Sequence, residues 1–169
     1  MINRNINQSN DNYYLQRFII IGAKRTGKTT FFSQVIYGKK DNPNQIDKVG
    51  YKMFENIGGK LRVRIEISDM PESFHPDDYS FLYNKALVFI LFDLSRPSTF
   101  FDDTGKEELQ VKYLIDETLT LNRNPHLKIF LIGTNADKTT TFDRLDAVRL
   151  AESYKMDYYQ VNCLDTKAV

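Results

Sequence analysis

A glycine-rich segment near the start of the chain has the residue types and spacing to bind phosphate. Residues 22–29 read G-A-K-R-T-G-K-T. Glycines let a backbone wrap closely around an anion, so that successive N–H groups and the start of the next helix face it. The lysine would reach the outer phosphates, and the threonine hydroxyl after it would ligate Mg²⁺. The predicted phosphate-binding residues are Gly22, Lys24, Arg25, Thr26, Gly27, Lys28, Thr29 and Thr30.

Apolar runs and helical patterns alternate along the chain and predict the elements that hold this segment. Strands are predicted at 18–21, 51–56, 61–68, 86–94, 127–132 and 158–161. Helices are predicted at 29–37, with a short one before the fourth strand, and around 111–121 and 145–151. The second and third strands flank Gly58-Gly59 and form a predicted β-hairpin. The glycine-rich segment therefore joins the first strand to the first helix, which is the context that phosphate binding requires.

This order predicts an α/β fold of the P-loop nucleotide-binding class. The expected sheet has six strands and is mostly parallel, with one antiparallel pair at its edge and helices on both faces. We expect a nucleotide-binding domain over 17–169 and a disordered polar lead over 1–16. No closing helix is predicted after the last strand, although an open sheet would need one. We expect either that the domain is truncated there or that another segment covers that face.

The composition narrows the class of protein. The 169 residues, of which 41% are hydrophobic, suit one domain. Lys and Arg total 23 against 22 for Asp and Glu, so the net charge of +1 gives no reason to expect nucleic acid as a partner. The single cysteine, Cys163, fits a reducing compartment. We expect a cytoplasmic protein without a membrane anchor or lipidation motif, which would reach membranes only through partners.

Four later segments carry further short patterns. The hairpin ends in D-M-P-E at 69–72, and the fourth strand runs into F-D-L-S-R-P-S-T-F at 92–100. The fifth strand ends in L-I-G-T-N-A-D at 131–137, and V-N-C follows the sixth at 161–163. In this order the patterns are similar to D-x-x-G, Y-D-[IV]-T-x-x-x-S-F, L-V-G-[NT]-K-x-D and [TV]-S-A-K. Together with the glycine-rich segment they resemble the Ras superfamily of small GTPases, most nearly its Rab branch, which acts in vesicle trafficking.

The resemblance implies a guanine nucleotide, GTP or GDP, bound with Mg²⁺. It implies Thr29 and Asp69 as metal ligands. A carboxylate at Asp137 would accept hydrogen bonds from N1–H and the exocyclic amine of guanine, which adenine does not offer. Aspartate is also common as a helix or turn cap, and that alternative stays open. The implied guanine-binding residues are Thr134, Asn135, Asp137, Asn162, Cys163 and Leu164.

The sequence departs from the family where the γ-phosphate is sensed and hydrolysed. The family's first switch supplies a Thr to Mg²⁺, whereas no Ser or Thr occurs from position 34 to 67 here. Glu72 stands in place of the D-x-x-G glycine, and Ser73 stands where the family has the Gln that orients the attacking water. At the base site, Asn135 replaces the Lys whose stem covers guanine. These changes predict nucleotide binding with slow or absent hydrolysis, and no residue is assigned a catalytic role.

Three functions remain possible at this point. The first is an atypical small GTPase that contacts a protein effector or regulator through switch-like loops at 39–50 and 70–80. The second is a pseudo-GTPase that keeps the fold and acts as a scaffold. A P-loop kinase is the third, and Asp137 with the segment around Asp93 argues against it.

Overall fold

The computed structural model of the chain describes residues 14–38, 49–57, 61–69, 79–101 and 111–162. Within them the chain forms an α/β structure with short 3₁₀ helices at Tyr79–Leu82 and Pro97–Thr99. The helices are α1 (Lys28–Tyr37), α2 (Val111–Leu121) and α3 (Arg144–Ser153). The strands are β1 (Tyr14–Gly22), β2 (Val49–Ile57), β3 (Leu61–Asp69), β4 (Leu87–Asp93), β5 (Lys128–Thr134) and β6 (Asp157–Gln160).

The strands form one sheet in the order β2-β3-β1-β4-β5-β6. The β2–β3 pair is antiparallel, and the other neighbouring strands are parallel. The prediction of a mostly parallel six-stranded sheet with an antiparallel edge pair is therefore confirmed. Since β1 has β3 on one side and β4 on the other, the direction of winding reverses at β1. Crevices for ligands in open α/β sheets form at the carboxyl ends of strands beside such a reversal.

Helices cover both faces of the sheet, as predicted. On one face, α2 and α3 bury a core that includes Ile90, Leu114 and Ala147. On the other face, α1 packs Phe31 and Phe32 into a smaller core. The central strands contribute to both cores because neighbouring residues on a strand point to opposite faces. The loop between β1 and α1 is therefore fixed at both ends by buried elements.

Local signals explain where the helices begin and end. Gly38 ends α1 in the left-handed region, at a φ of 64°, and its N–H donates to the carbonyl of Gln34 over 2.9 Å. Asp143 caps the start of α3, where its carboxylate accepts from the N–H of Leu145 over 2.9 Å. None of the helices in the described parts of the chain is long and apolar enough to cross a membrane.

Two predicted boundaries are wrong. The strand β1 begins at Tyr14, inside the predicted disordered lead, because it pairs with β3 from Tyr14 beside Val63 onward. The strand β2 begins at Val49, inside the predicted loop 39–50, where it pairs with Ser68. Pairing with β3 extends both strands beyond their apolar runs. The short helix before β4 is a 3₁₀ helix at Tyr79–Leu82. The remaining predicted lead (1–13) and most of both switch-like loops (39–48 and 70–78) lie outside the described residues.

Candidate functional site

The predicted site residues gather at one edge of the sheet. The glycine-rich loop (residues 22–29) follows β1, Asp93 ends β4, and Thr134 ends β5. Asn162 follows β6 and Asp69 ends β3. Because these five strands are mutually parallel, their carboxyl ends meet at the same edge. The sheet therefore brings together motifs that are far apart in the sequence.

The backbone of the glycine-rich loop turns sharply. Gly22 has a φ of 145°, and a Cβ there would lie 2.2 Å from the carbonyl oxygen of Leu91 on β4. Only glycine allows this close approach. Gly27 has a φ of 84° and Arg25 a φ of 59°, so two loop residues adopt the left-handed region. For a non-glycine residue such as Arg25 this costs about 1–3 kcal/mol, and such strain clusters at functional sites.

Lys28 and two threonines hold part of the loop from within. Lys28 is only 5% exposed, and its Nζ donates to the carbonyls of Gly22 and Ala23 over 3.1 and 2.9 Å. The hydroxyl of Thr26 donates to Ala23 over 2.9 Å. The hydroxyl of Thr134 lies 2.9 Å from the carbonyl oxygen of Thr26 and 3.0 Å from that of Phe92. Thr134 therefore joins the loop to the ends of β4 and β5.

Arg96 holds the outer part of the loop. Its Nη2 donates to the carbonyls of Lys24, over 3.3 Å, and Arg25. Its Nε donates to the Oδ2 of Asp93 over 2.9 Å. The carbonyls from Gly22 to Thr26 thus all accept hydrogen bonds from side chains.

Unlike its carbonyls, three N–H groups of the glycine-rich loop make no hydrogen bond within the described residues. Within the described parts of the chain, those of Arg25, Thr26 and Gly27 meet no acceptor. Consecutive N–H groups of this kind, directly before the start of a helix, form a concave surface that suits an anion. The positive Lys28 adds to this preference. These residues fit a phosphate group.

Asp93 is a buried carboxylate at the centre of the edge, with 3% of its surface exposed. Its Oδ1 accepts from the N–H and the hydroxyl of Ser95 over 2.9 and 2.6 Å. Burial raises the pKa of Asp93, but the hydrogen bonds from Ser95, Asn135 and Arg96 outweigh it and hold the pKa below its ordinary value. Asp93 therefore stays ionised and anchors Arg96.

The predicted base-binding residues form a second loop beside the first. Asn135 has a φ of 55°, which asparagine tolerates better than most residues, and its side chain helps to lower the pKa of Asp93. Asp137 is exposed to solvent. The N–H of Ala136 donates to the carbonyl of Val161 over 3.3 Å, which brings Asn162 to the same loop. The structure thus places Thr134, Asn135, Asp137 and Asn162 together, whereas Cys163 and Leu164 lie outside the described residues.

The predicted metal ligands lie at the same edge. Thr29 is the second residue of α1 and is exposed. The parallel register places Asp69 beside Ile20, two residues before Gly22. Within the described ranges, no cluster of three or more His, Cys, Asp or Glu residues could hold a metal ion by itself. Ligation of Mg²⁺ by these two positions would therefore need oxygens from a bound phosphate, as is usual for this ion.

Arg96 is not among the predicted site residues, and Asp93 enters the sequence prediction only as part of a resemblance. The available signal was Arg96 three residues after an aspartate that ends an apolar strand. That spacing does not predict that the guanidinium contacts residues 72 and 71 positions earlier in the chain. Glu72 and Ser73, which bear on hydrolysis, lie outside the described part of the chain.

Comparison with known proteins does not identify the chain. It matches no protein-family model and no curated protein sequence.

Replacing Asp93 with Asn tests the role of the buried carboxylate. The amide would face donors from Ser95 and Arg96, so we expect a loss of about 1–3 kcal/mol of unfolding free energy near neutral pH. Because the folded pKa of Asp93 is depressed, its stabilisation is present above the ordinary pKa of about 3.9 and is lost as the pH falls through the folded pKa. Urea unfolding between pH 7 and 2.5 should therefore show that the difference in unfolding free energy between wild type and Asp93→Asn disappears at low pH. Asp157→Asn, at an exposed position, is the control. A difference in unfolding free energy that does not depend on pH would contradict a stabilising role for the ionised Asp93.

Proposed function

We propose that this chain is a guanine-nucleotide-binding regulator of the small-GTPase type that binds GDP or GTP with Mg²⁺ and hydrolyses GTP slowly or not at all. One observation carries the proposal. The N–H groups of Arg25, Thr26 and Gly27 meet no acceptor in the described structure, while side chains hold the carbonyls of the same loop. They lie where β1 ends, at the reversal of strand order, so a pyrophosphate group is the ligand that they fit best.

The phosphate chemistry follows from this arrangement. Lys28 is buried beneath the loop, and a positive charge there would balance phosphate charge. A buried positive charge attracts an anion more strongly than the same charge in water. Thr29 and Thr30 are the second and third residues of α1, directly after the loop. This favours the di- or triphosphate of a nucleotide over a single small anion.

The choice of guanine is supported by the loop after β5. Thr134 joins this loop to the glycine-rich loop through the carbonyl of Thr26, so phosphate and base would bind to one connected unit. Asp137 is exposed, and its carboxylate is available to accept two N–H donors of guanine. The resemblance of residues 131–137 to the guanine motif of the Ras superfamily supports the same choice. Asn135 stands where the family has the Lys whose stem covers guanine, so it is not proposed as a cover for the base.

Slow hydrolysis is supported by the sequence. No Ser or Thr occurs from 34 to 67 to bind Mg²⁺ from the first switch, and Ser73 is too short to orient water as Gln does. Glu72 would repel a γ-phosphate if its side chain faced one. Thr29 and Asp69 remain the proposed ligands of Mg²⁺. Protein partners would contact the segments 39–50 and 70–80.

A scaffold without nucleotide switching is the second candidate function. The specific observation in its favour is the same loss of the switch hydroxyl together with Glu72 and Ser73. A scaffold would bind GDP and GTP equally well or bind neither, since nothing in it senses the γ-phosphate. Calorimetric titration with both nucleotides separates the two candidates.

Lys28→Ala tests nucleotide binding directly. We expect the wild type to co-purify with GDP or GTP, identified after denaturation, and to release ATP readily. Removing the buried ammonium should weaken GDP binding about 100-fold or more, because hydrogen bonds to charged groups contribute about 1.5–3 kcal/mol each. Lys128→Ala is the control, because Lys128 is the first residue of β5 and lies at the opposite end of the parallel strands from the site. Equal nucleotide affinity in wild type and Lys28→Ala would refute the site.

Asp137→Ala tests the choice of base. We expect GDP affinity to fall about 10- to 100-fold, since two charge-assisted hydrogen bonds would be lost. Affinity for inorganic pyrophosphate should stay unchanged, because that ligand has no base. Titration calorimetry with GDP, ADP and pyrophosphate measures all three. If Asp137 only caps a turn, the affinities for GDP and pyrophosphate will change together.

Single-turnover hydrolysis of bound GTP tests the proposed catalytic loss. We expect a rate below about 10⁻⁴ s⁻¹, slower than the intrinsic rate of an ordinary small GTPase. The reason is the missing switch Thr and the Ser at the position of the water-orienting Gln. The measurement follows GTP and GDP on the protein by chromatography after quenching. A rate typical of small GTPases would show that other residues orient the water.

A further inference from the structure

Arg96 connects the end of β4 to the middle of the glycine-rich loop. Its Nη2 donates to the carbonyl oxygens of Lys24 and Arg25, and its Nε is held by Asp93 at 2.9 Å. The other side-chain donors to the loop, Lys28, Thr26 and Thr134, serve the carbonyls of Gly22, Ala23 and Thr26 instead. Arg96 thus donates to the two remaining carbonyls of this loop, those of Lys24 and Arg25.

Peptide geometry turns these contacts into a constraint on the opposite side of the loop. In a planar trans peptide, the C=O of one residue and the N–H of the next point in opposite directions. A guanidinium that holds the carbonyls of Lys24 and Arg25 therefore directs the N–H groups of Arg25 and Thr26 away from itself. Those are two of the three amides that meet no acceptor in the described structure.

The support beneath Arg96 is buried and hydrogen-bonded. Asp93 is 3% exposed and accepts from the backbone and the hydroxyl of Ser95. The N–H of Asp93 itself donates to the hydroxyl of Thr99 over 2.8 Å. The guanidinium is planar and presents several donors in fixed directions, so one arginine can bond to a carboxylate and to carbonyls at the same time. A lysine has a single flexible ammonium and cannot reproduce this geometry.

We propose that Arg96 is a positioning residue that holds the amides of Arg25 and Thr26 in the direction that a bound pyrophosphate group requires. The proposal rests on the proposed function, since it assumes that the loop binds the phosphates of a nucleotide. Arg96 acts through the loop backbone and needs no contact with the ligand. Its contribution is to order the loop before the ligand arrives, which reduces the entropic cost of binding.

The experiment compares wild type with Arg96→Ala, Arg96→Lys and Arg149→Ala. Arg149 is an exposed arginine on α3 that pairs only with Asp146 in the described structure, at 3.5 Å, and is the matched control. Amide ¹⁵N relaxation without ligand measures the order parameters of Arg25, Thr26 and Gly27. Titration calorimetry at a temperature where every variant is folded measures the affinity for inorganic pyrophosphate and GDP.

We expect the order parameters of Arg25 and Thr26 to fall from about 0.85 to below about 0.6 in both Arg96 variants. The affinities for pyrophosphate and GDP should fall together, about tenfold or more. Arg149→Ala should match wild type in both measurements. If Arg96→Ala does not fold, Arg96→Lys carries the test by itself.

Unchanged order parameters in the Arg96 variants would overturn the proposal. So would full affinity in Arg96→Lys, because it would show that only positive charge is needed. A wild type that binds neither pyrophosphate nor GDP would refute the proposed function. The order parameters would still decide whether Arg96 holds these amides.

Discussion

The candidate site depends on how the carbonyl groups of the glycine-rich loop are satisfied. Backbone carbonyls removed from water must find donors. Here the donors are side chains, and they come from three places: the loop and α1 themselves, the end of β4, and the end of β5. Each carbonyl bonded on one side leaves an N–H directed to the other side. The side chains that bind the carbonyls of the loop thereby set the direction of its N–H groups.

The sheet makes these donors available. Gly22 passes so close to Leu91 that no side chain fits, and this brings the loop against the end of β4. Thr134, almost fully buried, then contacts carbonyls of both Thr26 and Phe92. Two loops that are far apart in the sequence become one connected unit. A ligand that contacts the glycine-rich loop would therefore also lie beside Asn135 and Asp137.

The structure and the sequence bear on different halves of the proposed function. The described residues include the loop that would bind phosphates and the loop that would bind the base. The positions that would act on a γ-phosphate, Glu72 and Ser73, are known only from the sequence. Binding without efficient hydrolysis is the proposal that joins these two observations.

The fold was largely predictable because its signals are local. Apolar runs and helical spacing located the six strands and the helices, and Gly38 marked the end of α1. The starts of β1 and β2 were not predictable, because pairing with β3 extends both strands through polar or isolated apolar residues. Backbone hydrogen bonds between strands do not depend on side-chain hydrophobicity, so the apolar pattern of the sequence does not predict where they end.

The same division holds for the candidate site. The sequence by itself determined the glycine-rich loop, with Lys28 and Thr29, because glycine spacing acts on the backbone within a few residues. Only the tertiary structure decided that Arg96 reaches Lys24 and Arg25 and that Thr134 joins the two loops. These contacts arise because parallel strands bring their carboxyl ends to one edge. Residues distant along the chain become neighbours there, and no local pattern records which of them will meet.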